Sequence, residues 1–451
     1  MICNIWKRAV PAKLLSTGIS LAILFAAIPS VACAQATEAT AAPGTLTISP
    51  LQQLAQMAAL EGITFNSQYV GEFAANPSGG AHSGSAYTGQ LSIGSDVDLG
   101  KLVGLAGGSV HTNFVERAGN SLAAGPLDNS ISVQQVYGAG QTWQMSLLTY
   151  EQKFGHFADV AVGRDSLDNS FIGYDFLCDF QSNASCGNTG ILGKDTSTAF
   201  NPTATWGGHV KLTPTANTYA QLGLYQANPA VNPQNSHGFD WAFSGTGFEL
   251  PIEAGYVYTT PGATEQNKYD VGAIFDRLHY SAPYYNEQSP GQYGRTLIYA
   301  QAQQMVYQTQ PDSSRGLYLF GIGMYSPDGG TQVANFSVEG GALFQGPFAS
   351  RPDDTVGFMV SELHYNNPFL MSIFDAREEE GGTEFPAANM VMMELNYGAQ
   401  VNRWLNVMLN FQYIVNPDGL GGTSIPVRNE KSSAVIGLQF TADLGKLLGL
   451  P

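Results

Sequence analysis

The sequence predicts an all-β protein, a transmembrane antiparallel β-barrel of about 16 strands with short periplasmic turns and long outer loops. Three observations predict it. Residues 63–440 break into segments of alternating polar and apolar side chains, each near the roughly 9 to 11 residues that a tilted membrane-crossing strand needs. Charged residues make up only 12% of the chain, whereas glycine (52 residues) and aromatics (11%) are plentiful, as suits walls that face lipid and carry aromatic girdles. The connections alternate between tight links and long loops, an asymmetry that outer-membrane barrels have and soluble β-sandwiches do not need.

The elements follow in order. Residues 1–34 read as a secretory signal, with Lys7, Arg8 and Lys13 ahead of an apolar run over 21–28 and Ala32-Cys33-Ala34 at its close. Beyond it no stretch approaches the roughly 18 apolar residues of a spanning helix, so a membrane crossing has to be made by strands. Residues 35–62 form a small-residue linker and a short periplasmic helix, SPLQQLAQMAALE, with Ser49 as N-cap and Pro50 in its first turn. The barrel is expected over 63–440 and a C-terminal tail over 441–451.

The expected strands are 63–75, 85–97, 102–116, 141–153, 157–165, 205–213, 217–226 and 249–260, then 266–278, 294–306, 315–325, 333–345, 354–364, 389–399, 404–414 and 432–440. Near the end the alternation is plainest: Leu405, Val407, Leu409, Phe411 and Tyr413 interleave with Asn406, Met408, Asn410 and Gln412. Tight links are expected at 98–101, 154–156, 214–216 and 400–403, and long loops at 117–140, 166–204, 227–248, 279–293, 365–388 and 415–431. A second short helix is expected from Pro368 through the Glu378-Glu379-Glu380 run, inside an outer loop.

Charge and cysteines narrow the function. Removing Lys7, Arg8 and Lys13 with the leader moves the net charge from −17 to −20, which disfavours nucleic acid as a partner. Cys3 and Cys33 leave with the same segment, so Cys178 and Cys186 remain as a closely spaced pair in an exported chain and are expected to form a disulfide. The scattered histidines have no ligand spacing, and neither a metal site nor a cofactor is expected. No G-x-S-x-G elbow or H-E-x-x-H pair is present, so no catalytic residue is assigned and the chain is read as a non-enzyme.

Several phrases resemble the carbohydrate-selective porin family, often called OprB-type. They are YVGEFAANPSGG from Tyr69, YEQKFGHFADVAVGRDSLDNSF from Tyr150, AFNPTATWGGHVKLTPTANTYAQLGLYQANP from Ala199, ELPIEAGYVY from Glu249, EGGALFQGPFASRPDDTVGFMVSE from Glu339 and MELNYGAQVNRWLNVMLNFQYIVNPDG from Met393. The resemblance spans nearly the whole mature chain in the expected order. It implies a sixteen-stranded barrel, loops folded inward to narrow the pore, and passive diffusion of glucose-type carbohydrates. The chain departs from the usual pattern at its end, where eleven residues follow Phe440.

Sugars present hydroxyls and weakly apolar ring faces, so a selective constriction needs hydrogen-bonding charges and amides with an aromatic platform. Alternation places Glu72, Glu253, Glu339 and Glu394 on the lumen face of their strands. Lys153, Arg164 and Arg351, near strand ends, are the expected basic partners, and Trp206 is a candidate sugar platform or an interface-belt residue. Loop 166–204, which carries Cys178 and Cys186, is expected to fold into the lumen, since loops of this size are usually lids or binding elements. The expected partners are carbohydrate and outer-membrane lipid, and the fold is compatible with a homo-oligomer. The competing readings are a general or cation-preferring porin, an outer-membrane barrel hydrolase, and a secreted soluble β-protein such as a lectin.

Overall fold

In the computed structural model, residues 49–173, 175–186, 190–227, 233–241, 247–281 and 291–450 are described. The secretory signal and most of the linker expected before them lie outside the described residues. Helix α1 spans Pro50–Leu60. Ser49 caps it, its hydroxyl accepting the Gln52 N–H while the Gln52 side chain accepts the Ser49 N–H, a reciprocal capping box.

Sixteen strands follow. The first eight are β1 (Ile63–Ser78), β2 (Gly84–Asp98), β3 (Gly108–Gly119), β4 (Trp143–Phe154), β5 (Ala158–Asp165), β6 (Thr205–Thr215), β7 (Thr218–Ala227) and β8 (Gly247–Tyr258). The others are β9 (Asn267–Tyr280), β10 (Gln292–Gln308), β11 (Gly316–Tyr325), β12 (Ala334–Gln345), β13 (Thr355–Tyr365), β14 (Asn389–Asn402), β15 (Leu405–Val415) and β16 (Ser433–Asp443). Each pairs antiparallel with its sequence neighbours, and β1 closes on β16 through pairs from Gln68↔Asp443 to Ser78↔Ala434. Closure removes every sheet edge, which is what permits strands to cross lipid.

Each strand follows its period-two pattern. On β1, Phe65 and Phe73 point out of the barrel and are exposed, while Glu72 and Ala74 point in and are buried. At Gly71 a β-carbon would meet the Phe440 ring at 2.4 Å, and the missing side chain lets Tyr69 pack 5.8 Å from that ring on the outer wall.

Two connections differ from expectation. The link after β2 is longer than the tight turn expected at 98–101, because it holds helix α2 (Leu99–Val103). Asp98 caps that helix by accepting the Gly100 N–H at 2.8 Å and the Lys101 N–H at 3.2 Å, and Gly104 ends it in the left-handed region at φ 80°. At the far end β16 continues through Asp443, past the Phe440 boundary expected for the barrel. Helix α4 (Leu444–Leu448) then folds back, and the Gln52 amide of α1 donates to the Leu448 carbonyl at 3.1 Å. The loop between β13 and β14 carries the expected helix, α3 (Asn367–Glu379).

Candidate functional site

Two of the long loops turn into the barrel, and the wall is built to receive them. A buried loop whose only regular structure is short helical turns, here Leu167–Asn169, Leu177–Asp179 and Leu192–Asp195, leaves backbone N–H groups that need acceptors. Inward-facing wall side chains supply these for loop 166–204. Glu253 accepts the Ile172 N–H at 3.2 Å, Gln301 the Gly173 N–H at 3.1 Å, and Gln303 the Asp175 N–H at 2.9 Å. Glu394 takes two, from Gln181 at 3.0 Å and Ser182 at 2.7 Å. Asp276 accepts the Ser197 N–H at 2.7 Å, so the loop is tied at points spread from β8 to β14. Loop 120–142 is held in the same way by Glu72, which accepts the Val136 N–H at 3.2 Å.

Apolar packing completes the anchoring. Phe171, Phe176 and Phe180 of loop 166–204 are almost wholly buried against inward-facing residues of the wall. Phe171 meets the Tyr225 ring edge-on at 6.2 Å, Phe176 lies 4.8 Å from Tyr318, and Phe180 lies 5.6 Å from Phe320. On β11 the inward residues Tyr318, Phe320, Ile322 and Met324 are all buried and apolar. The barrel therefore holds a hydrophobic core inside its own lumen, on the side where the loop lies. The Cys178–Cys186 disulfide is formed within that loop.

The outer loops are also tied to one another. Asp418 of loop 416–432 accepts the Ser130 N–H at 2.9 Å and the Tyr365 hydroxyl at 2.5 Å. The Ser130 hydroxyl bonds the same carboxylate and receives the Lys194 ammonium, whose pKa is lowered by its burial.

Two open chambers remain. The larger, about 1340 Å³, is lined by Arg117, Asp168, Asp175, Asp179, Lys268 and the disulfide, among others. The smaller, about 700 Å³, lies toward the short-turn end and is lined by Asp96, His111, Glu151, His209 and Lys446, among others. Gln68, Asn169, Ser170 and Asn201 line both chambers and so lie on the boundary between them. All four are uncharged and offer donors and acceptors together.

Charged groups lie on both sides of that boundary. In the larger chamber, Arg117 donates to Gln90 at 2.7 Å and to the Gly138 carbonyl at 3.1 Å, and Lys268 reaches the Gly173 carbonyl at 2.8 Å. Enclosure in the lumen pushes the Asp168 carboxyl up to about 6. The same enclosure, with Glu265 and Asp175 close by, pushes Asp179 up to about 7. In the smaller chamber, the His111 ring bridges Asp96 at 2.5 Å and Glu151 at 3.3 Å.

The residues singled out from sequence fall into three groups. Glu72, Glu253, Glu339 and Glu394 face inward and are buried, and Glu72, Glu253 and Glu394 lie behind the loops they hold. Lys153 also faces inward, at the short-turn mouth, paired with Glu151 at 2.9 Å. The other three do not reach the lumen. Arg164 pairs across the sheet with Trp206, in the same phase as the exposed Val162 and Val210, so both point outward. The Arg164 guanidinium is covered by the loop after β7, donating to the Asp240 carbonyl and, at 2.5 Å, to the Ala204 carbonyl. Trp206 packs 5.7 Å from Trp241 on that outer belt. Arg351 sits at the short-turn rim, bonded to Asp354 and, at 3.2 Å, to the Gln400 carbonyl.

Alternation along the strands does not mark Arg117, Asn169, Ser170 or Asn201. Arg117 lies directly opposite Gln90 on the inward face of β3, one residue past the strand end expected from sequence. Gln68 shares the inward phase of Glu72, whereas Asn169, Ser170 and Asn201 are loop residues with no periodicity to mark them.

Comparison with known proteins agrees with this architecture. Residues 82–444 match the model of the carbohydrate-selective porin, OprB family. Porin B of Pseudomonas aeruginosa is 31% identical over 402 residues, covering 80% of this chain and 84% of that protein. A putative porin, QuiX, of Acinetobacter baylyi is 26% identical over 388 residues, covering 80% of this chain and 86% of that one. The high-pH structure of Pseudomonas putida OprB superposes with a TM-score of 0.78 at 26% identity, over 86% of this chain and 95% of that one. This sixteen-stranded barrel is thus an outer-membrane channel, and the chain belongs to the carbohydrate-selective porin family, OprB.

Proposed function

We propose that the channel passes glucose-type sugars passively and discriminates at a neck formed where Gln68, Asn169, Ser170 and Asn201 divide the two chambers, without catalysing any reaction on them. The observation that carries this reading is the chemistry of those four side chains, which line both chambers and bear no charge. A neutral solute shedding water there exchanges hydrogen bonds with water for hydrogen bonds with amides and a hydroxyl, at little net cost. Ions shed more tightly held water and gain no fixed countercharge from these four groups. Several weak contacts in sequence keep exit fast, which one tight site would prevent.

The buried glutamates act by positioning in this reading. Glu72, Glu253 and Glu394 hold the loops that shape the neck, and Arg117 and Lys268 line the larger chamber.

Liposome swelling tests the proposal. Glucose is compared with amino acids of similar size for the parent protein and for Asn169→Ala and Asn201→Ala. Sugar preference in the parent that shrinks in the variants supports the neck as selector. Rates that follow solute size alone, in parent and variants alike, reduce the protein to a general channel.

A cation-preferring channel is the second reading, favoured by Asp168, Asp175 and Asp179 lining the larger chamber. It is tested by the reversal potential under a potassium chloride gradient. A strong potassium preference with no sugar preference favours it.

A further inference from the structure

At the short-turn rim, the molecule carries an apolar shelf that no described residue covers. On α1, Leu51, Leu54 and Met57 recur three residues apart and are exposed, Leu54 by 65% and Met57 by 64%. No residue from Pro50 to Leu60 is charged, and Ala55 alone is buried in that helix. The neighbouring α2 segment adds exposed Leu102, Val103 and Leu105. The two helices are joined at Gly62, where the Asp98 N–H donates to the Gly62 carbonyl at 2.7 Å and a β-carbon would lie 2.9 Å from that of Lys101.

The lumen side of this rim is already occupied. Gly445 and Lys446 of α4, with Leu450 beyond it, line the smaller chamber, and α1 bonds to α4 through Gln52. Leu54 and Met57 lie on the α1 arc away from Gln52 and Ala55, on the side that does not meet the barrel. They face either water or the membrane surface.

Continuity with the lipid-facing wall decides between these. The cross-strand row Ile63, Val97 and Val110 is the lowest apolar row of β1, β2 and β3, directly above the two helices, and exposed Phe65 and Ile93 continue it upward. An apolar helix face adjoining a bilayer-facing wall loses less free energy at the lipid interface than in water, where large exposed apolar patches are uncommon.

We propose that α1 and α2 form an interfacial shelf that rests on the phospholipids of the inner leaflet and fixes the barrel's depth on that side. The test uses the full protein reconstituted in phosphatidylethanolamine and phosphatidylglycerol vesicles, with a nitroxide on Leu54→Cys, Met57→Cys or Gln56→Cys. The parent protein treated with the same reagent supplies the background. Liposome swelling equal to the parent's establishes that each variant is folded.

The expected result is that nitroxides at 54 and 57 collide with oxygen several-fold more than with a water-soluble nickel chelate, and that the preference reverses at 56. Equal nickel accessibility at all three positions overturns the proposal, because the face then meets water or a soluble partner. Spin–spin broadening from labels on two copies overturns it as well, and would assign the face to self-association.

Discussion

Glu394, on the wall strand β14, accepts the backbone N–H of Ser182 at 2.7 Å across 212 residues of sequence. The same carboxylate also accepts the Gln181 N–H and the Asn396 amide, each at 3.0 Å. One wall side chain thereby satisfies two otherwise orphaned loop donors. Loop 166–204 is held by several such contacts, which fix it inside the barrel.

Glu394→Leu leaves the two loop N–H groups and the Asn396 amide without this acceptor, at a cost of about 1–3 kcal/mol each. The barrel ladder is untouched, so the variant is expected to keep its heat-modifiable migration on gels. Single-channel recordings should show noisier and larger conductance, and sugar discrimination should fall. Unchanged conductance would mean that the loop is held without this carboxylate.

Phe180→Ala removes a wholly buried ring that packs against Phe320. Large-to-small changes of this kind cost about 3–5 kcal/mol. Most of that loss should appear as local loosening of loop 166–204, because the sixteen-stranded ladder does not depend on the ring. Limited proteolysis followed by mass spectrometry should find new cleavage within the loop and none in the strands.

Charge selectivity should depend on pH. Asp168, near 6, and Asp179, near 7, are both raised by enclosure, so both are largely ionised at pH 8 and largely protonated at pH 5. These two groups therefore add about two negative charges to the larger chamber on going up in pH. Potassium preference, read from reversal potentials, is expected to rise from pH 5 to pH 8. Asp168→Asn together with Asp179→Asn should flatten that dependence, while flux of a neutral sugar changes less.

Arg164→Ala and Arg351→Ala should leave sugar flux unchanged, since neither side chain borders a chamber. Arg117→Ala should reduce flux through the larger chamber, where the guanidinium is fixed by Gln90 and the Gly138 carbonyl. Liposome swelling on the three variants checks this contrast. A drop in flux for Arg351→Ala equal to that for Arg117→Ala would contradict the assignment of Arg351 to the rim.

Cys178 and Cys186 border the larger chamber, and their bond closes a short loop. Short-loop disulfides contribute about 2–3 kcal/mol in the chain-entropy description. Reduction should therefore loosen only the segment beside the chamber. Single-channel noise before and after dithiothreitol is the measurement, with closed-state events expected to become more frequent and mean conductance to change little.

The sequence by itself determined the barrel, its strand number and the inward face of most strands, because period-two alternation is a local property of the chain. It also marked Glu72, Glu253, Glu339 and Glu394 as inward residues, and loop 166–204 by its length. Tertiary structure alone decided what the inward residues meet. Glu72, Glu253 and Glu394 meet loop backbone, because buried N–H groups arrive from segments distant in sequence and must be satisfied there. On β11 the inward Tyr318, Phe320, Ile322 and Met324 meet the phenylalanines of the folded-in loop, so the strand is apolar on both faces and its alternation is blurred. Arg164 and Trp206 keep the outward phase of Val162 and Val210, and only the loop after β7, which covers the guanidinium there, gives Arg164 its partners. The boundary between the chambers, Asn169, Ser170 and Asn201 beside Gln68, arises only where two parts of one long loop approach a strand, and no local pattern encodes that approach.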